Sequence, residues 1–299
     1  MNLVLTTSKF STNNFDKLKM IISQIPFRPQ SKFLMKFKQL STTLSSSLLL
    51  GLTVFSGVVL SPNLTLAQGR YQTPEELTDL LKKIDRAASR QDLEDVMDFY
   101  SNDFTNSDGL DRESLEAALA NFWQLYNSVK YRTKVTSWET DGDAIVAETI
   151  TYITGVQEMK DRDITLKSTI TSKQRYEDKK IVEQEILAEQ NQLTSGKKPP
   201  IVNINLPSEV EVGEKYNFDV IVEEPLGEQI ILGTALAEPI NEDSYNFEPA
   251  NFKLDVLSSG GIFKIGEATE NSDDQWLSAI LMRKGGITIS TYRLRVISE

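Results

Sequence analysis

Leu77, Leu80, Leu81, Ile84 and Ala88 recur at three- and four-residue intervals, the spacing of one buried helical face. Thr73-Pro74-Glu75-Glu76 precedes them as a helix start, with threonine to cap, proline for the first turn and Glu76 to bond back to the cap. A second stripe, Leu93, Val96, Met97 and Tyr100, follows Asp92, whose side chain is placed to cap. A polar loop over 101–109 leads to a third helix capped by Asp111, with Leu115, Ala118, Leu119, Phe122 and Tyr126 on one face. The period then falls from 3.6 to two. Residues 131–138 and 144–153 read as strands joined at Asp141-Gly142, where both residue types tolerate positive φ. Residues 164–176 and 180–187 read as a second pair. Three helices followed by a curved antiparallel sheet make an α+β domain over 73–192.

The composition changes at Thr194-Ser195-Gly196-Lys197-Lys198-Pro199-Pro200, so 193–200 reads as a linker. Beyond it the pattern is all-β. Strands are expected near 216–222, 230–236, 252–256, 261–265, 276–282 and 287–296, separated by Gly, Pro, Asn and Asp. Such spacing predicts a β-sandwich over 201–299, immunoglobulin-like in architecture only, because the Cys…Trp…Cys pattern is missing.

The chain has no histidine and no cysteine. This excludes Ser-His-Asp and Cys-His catalysis, thiolate nucleophiles and disulfides, and leaves carboxylates, lysines, tyrosines and hydroxyls for chemistry. Residues 35–67 read as a secretory signal. Lys36 and Lys38 are basic, Leu48 to Leu60 is apolar but short for a bilayer, and Thr65-Leu66-Ala67 offers small residues for cleavage. Residues 1–34 are basic and Ser/Thr/Asn-rich. They read as an extension ahead of a true start at Met35, with a plastid transit peptide as the other reading. Export to a periplasm or thylakoid lumen follows, with no stable membrane anchor after cleavage. The first 67 residues hold seven Lys/Arg and one Asp, so the −11 of the whole chain leaves −17 for residues 68–299. Such a surface repels nucleic acid.

Arg90-Gln91-Asp92-Leu93-Glu94-Asp95 and Phe99-Tyr100-Ser101-Asn102-Asp103-Phe104, with the Thr73-Pro74-Glu75 opening, resemble the nuclear transport factor two-like superfamily, whose fold is shared with ketosteroid isomerase. The resemblance implies a cone of helices on a curved sheet enclosing a pocket, and it admits a homodimer. It does not imply an activity, because this fold hosts isomerases, dehydratases and binding modules. The isomerase comparison places a general base at Asp108. It places a tyrosine where this chain has Ile84, and an oxyanion-hole acid where it has Ser172. One of the three groups survives.

On the strand near 164–176, Leu166, Ser168, Ile170, Ser172, Gln174 and Tyr176 share the face expected to turn inward. Glu148 and Tyr152 share a face of the preceding strand with Val146 and Ile150. An inward Glu148 would be a carboxylate in an apolar pocket, hence a general base; an outward one would be solvated. The ligand-pocket candidates are Ile84, Trp123, Tyr126, Tyr152, Ser168, Ser172 and Tyr176, and the candidate bases are Asp108 and Glu148. Trp123 and Tyr126 also fit as simple core. The acidic run Glu267, Glu270, Asp273, Asp274 lacks EF-hand spacing and reads as a solvated loop, so neither metal nor cofactor is expected. The leading expectation is an exported, non-enzymatic binding protein. Its cone holds a small apolar ligand or a dimer partner, and its sandwich docks a protein. A lyase or isomerase using Asp108 or Glu148 is the alternative.

Overall fold

The computed structural model describes residues 72–298 apart from 161, 225–229, 246–252, 258–259 and 270–273. The expected signal at 35–67 and the extension at 1–34 lie outside the described residues.

The first helix, α1 (Glu75–Ser89), buries Leu77, Leu80, Leu81, Ala87 and Ala88. Its N-cap is Pro74, and no side chain caps it, so the Thr73–Glu76 capping box is not made. The short α2 (Leu93–Met97) is capped by Asp92, which accepts from Asp95 N. Between them Gln91 adopts φ 57°, and its amide donates to the carbonyls of Trp123 and Tyr126. That left-handed joint turns α2 back and ties it to α3 (Arg112–Gln124), where Asp111 and Ser114 form a reciprocal capping box.

The segment expected as a polar loop is instead a strand, β1 (Tyr100–Asn106). Its polar side chains hid it, and Phe104 is its single fully buried anchor. The long antiparallel strands follow as β2 (Ser128–Asp141), β3 (Ala144–Glu158), β4 (Asp163–Glu177) and β5 (Lys180–Gly196). Gly142, at φ 63°, turns β2 into β3.

β5 does not stop near 187. It runs through Gly196, into the stretch expected as a linker, because β13 (Gly286–Ile297) pairs with it from Gly196↔Gly286 to Gln190↔Tyr292. One edge of β5 is therefore covered twice: by β1, in parallel, around 181–184, and by β13 around 190–196. Strands β9 (Leu232–Pro239), β10 (Asp255–Val256) and β12 (Gln275–Arg283) continue this sheet in the order β10-β9-β12-β13-β5-β4-β3-β2. The short β7 (Glu209–Glu211) pairs with β13. A separate sheet of β6 (Val202–Asn205), β8 (Lys215–Val222) and β11 (Gly261–Glu267) has the order β11-β8-β6.

The C-terminal strands are thus mostly β and partly joined to the main sheet. Their apolar run Trp276-Leu277-Ser278-Ala279-Ile280-Leu281 has a physical reason, since a strand covered on both faces need not alternate. Leu277, Ala279, Leu281 and Leu294 face a core shared with Phe218 and Val220 of the smaller sheet. Ile280, Ile287 and Ile289 face the other way, into the core built by Ala88, Trp123, Leu166 and Leu193. The chain therefore has an α+β part and an all-β part, and β12 and β13 serve both. Among the described residues no helix is long and apolar enough to cross a membrane.

Candidate functional site

The helices and the concave face of β2–β5 enclose a cavity of about 240 Å³. Its wall is mainly apolar. Leu81, Ile84 and Ala88 come from α1, Leu119, Phe122 and Trp123 from α3, and Ile153, Leu166 and Ile170 from the sheet. β4 and β5 supply the polar groups Ser168, Ser172, Gln174, Glu189 and Asn191, and Asp85, Thr133 and Thr151 add others from α1, β2 and β3.

The alternation of β4 places Leu166, Ser168, Ile170, Ser172 and Gln174 on the cavity wall, with Thr165, Lys167 and Lys173 on the opposite face. Thr149 of β3 is fully buried, and its hydroxyl bonds that of Ser172 and the side-chain oxygen of Gln174. Tyr176, one step beyond, leaves the cavity wall for the core beside Leu77, Phe104 and Ile181. Its hydroxyl donates to Gln174 Oε1 at 2.5 Å. Burial raises its pKa. Trp123 lines the cavity and donates through Nε1 to the Tyr131 hydroxyl at 2.9 Å. Tyr126 does not line it; this ring is core, packed on Gly155.

Register decides Glu148. Thr149, Thr151 and Ile153 turn inward, so Glu148, Ile150 and Tyr152 turn outward. Glu148 is therefore no cavity carboxylate. Tyr152 is 39% exposed on the outer face, with Lys134 5.6 Å from its ring centre.

Asp108 is buried, but it is not a free base. It sits in the turn after β1, and Arg293 of β13 reaches it with two nitrogens, at 3.0 and 2.5 Å. The Tyr245 hydroxyl, from the 3-10 turn Glu242–Tyr245, donates to Asp108 Oδ2 at 2.5 Å. The Arg293 side chain is 0% exposed and also pairs with Asp274 at 3.0 Å. Burial works against its charge, but the Asp108 hydrogen bonds and the charges of Glu189 and Asp108 outweigh that and raise its pKa. Burial, with the Asp108 charge second, raises that of Tyr245. The position that resemblance made a base is here half of a buried ion pair joining the two parts of the chain.

Sequence reasoning missed Glu189. This side chain lines the cavity; Oε1 accepts from Asn191 Nδ2 at 2.7 Å and Oε2 from Trp276 Nε1 at 2.9 Å. Arg293 lies 3.8 Å away. Burial raises the Glu189 pKa, while Arg293 and the two donors oppose the rise. The missed signal was strand length. Continuing β5 past 187 puts Glu189, Asn191, Leu193 and Ser195 on one buried face, and an acid in that row marks a polar stretch of the cavity wall.

Of the acidic run near 267–274, Asp274 is engaged by Arg293 and by Val296 N, Glu267 pairs with Lys215, and Glu270 and Asp273 lie outside the described residues. Among the described residues no cluster of acids is arranged to hold a metal ion.

Residues 197–297 match a family described as a domain of unknown function (DUF8623). No curated protein matches. Solved structures match the helix-and-sheet part. A putative scytalone dehydratase from Novosphingobium aromaticivorans aligns at 9% identity over 37% of this chain and 80% of its own, with a TM-score of 0.32. A hypothetical protein from Catenulispora acidiphila with a ketosteroid isomerase-like fold, in complex with trimethylamine, aligns at 16% identity over 38% and 85%, with a TM-score of 0.28. An LEH-like epoxide hydrolase from M. tuberculosis aligns at 13% identity over 37% and 80%, with a TM-score of 0.26. The chain is similar to these over a cone of helices on a curved sheet.

Proposed function

We propose that this chain is an exported binding protein whose cone cavity holds a small, mainly apolar ligand. The observation that carries the reading is a mainly apolar wall carrying a limited set of polar side chains, the usual make-up of a ligand pocket. Two further facts support a non-enzymatic role. Asp108 is committed to Arg293 and Tyr245, and Glu148 faces away from the cavity. In this reading the all-β part, immunoglobulin-like in architecture, contributes Tyr245 to the cavity wall and docks a protein. Ile221 and Phe263, on the outer face of the smaller sheet, are 45% and 44% exposed and offer apolar contact. Native mass spectrometry of the chain isolated from its own source tests the reading. A small molecule at stoichiometric occupancy is expected, and Ser168→Phe, which fills the cavity, should remove it. An adduct that survives in that variant sinks the proposal.

One observation favours a second reading, a lyase or isomerase. Glu189 is a buried carboxyl on the cavity wall with a raised pKa, the state that acid–base catalysis uses. Turnover of any bound ligand that vanishes in Glu189→Gln would establish this reading. Unchanged ligand after prolonged incubation would end it.

A further inference from the structure

We propose that the ligand is an uncharged amphipathic molecule bearing a single hydroxyl or carbonyl group, and that the cavity excludes carboxylates and ammonium ions; this rests on the ligand-binding reading above. No Lys or Arg lines the cavity among the described residues, so a buried anionic group would find no counter-ion there. Arg293, 3.8 Å from Glu189, is committed through both terminal nitrogens to Asp108 and Asp274.

A cation fares no better. The two acids on the wall are Asp85 and Glu189. Asp85 accepts from the backbone N–H and the hydroxyl of Thr133, both at 2.7 Å. Glu189 accepts from Asn191 through Oε1 and from Trp276 through Oε2. An ammonium would lose its water and meet two carboxyl groups that each already hold two donors, with the Arg293 charge 3.8 Å from Glu189 opposing a second cation.

A neutral polar group is matched. Gln174 Oε1 is occupied by Thr149 and Tyr176, which leaves its Nε2 as a donor toward the cavity. Asn191 Nδ2 is occupied by Glu189, which leaves Oδ1 as an acceptor. The Ser168 hydroxyl, on the same wall, serves as either. A hydroxyl or carbonyl placed among these three is satisfied, while the rest of the ligand lies against Ile84, Phe122 and Leu166.

The test is calorimetric titration of the full chain at pH 7.5 with three chains of equal length: 1-octanol, octanoate and octylammonium. Octanol should bind on the order of a hundredfold more tightly than either ion, because burying a charge without a counter-charge costs more than burying a hydroxyl that is hydrogen-bonded. Ser168→Ala should weaken octanol roughly threefold to tenfold, one hydrogen bond's worth, and leave the ions unchanged. Octanoate or octylammonium binding as well as octanol overturns the charge-class inference and leaves the cavity as a ligand site. If none of the three binds, the ligand-binding reading itself fails.

Discussion

Arg293→Met removes the cation from a charged cluster sealed between the two parts of the chain. In the native chain its side chain is 0% exposed and Asp108 is 3% exposed, while Asp274 is 29% exposed. Methionine fills much of the same volume, so the cost comes from charge and not from a cavity. Asp108 would keep only two hydroxyl donors, Tyr245 and Ser107. Leaving one partner of a buried pair uncompensated costs about 3–5 kcal/mol. For a chain of this size each kcal/mol lowers the melting temperature by roughly 2–4 °C, so the drop should be about 6–20 °C. Scanning calorimetry measures it. Adding Asp108→Asn removes the stranded charge and should restore at least ~1 kcal/mol, a coupling that distant, independent sites do not show. A single variant costing under ~1 kcal/mol, or a double variant whose cost is the sum of the two singles, would refute the view that this pair holds the two parts together.

Gly155→Ala brings a Cβ to 2.9 Å from Tyr126 Cδ1 in a filled core, and should cost about 1–3 kcal/mol. Denaturant titration reads that cost, and Tyr126→Leu in the same chain should recover part of it. Glu189 makes stability depend on pH. Its folded pKa lies above the ordinary 4.5, so its contribution is full below that value and is lost as pH rises through the raised one. The melting temperature of Glu189→Gln should therefore gain on the native chain as pH increases from 4.5. A constant difference across the range would count against a protonated carboxyl at this site.

Much of the first part is legible in the sequence because its signals are local. The 3.6 period of α1, the caps at Asp92 and Asp111, and the glycine turn at 142 all rest on residues within a few positions of one another. The alternation of β4 likewise gives the cavity-facing Leu166, Ser168, Ile170, Ser172 and Gln174. The register of β3 is less legible, since Val146, Glu148, Ile150 and Tyr152 alternate as convincingly as Ala147, Thr149, Thr151 and Ile153. Only packing against α1 and β4 decides which set turns inward. What stays hidden depends on partners far along the chain. Asp108 meets Arg293 across 185 positions and Glu189 meets Trp276 across 87. No spacing rule connects such residues, and a resemblance that stops near 192 omits half of each pair.

The double cover on the edge of β5 also governs how the protein can be cut. Severing the chain after Gly196 would strip β13 from residues 190–196 and leave a row of unpaired backbone N–H and C=O groups there. The same cut would uncover the apolar surface now held under Ile280, Ile287 and Ile289. An open strand edge beside an apolar face is a template for pairing with another chain. The C-terminal part thus acts as a guard against polymerisation as well as a neighbour, and a truncation placed where the composition changes would yield a sticky fragment instead of a free-standing cone.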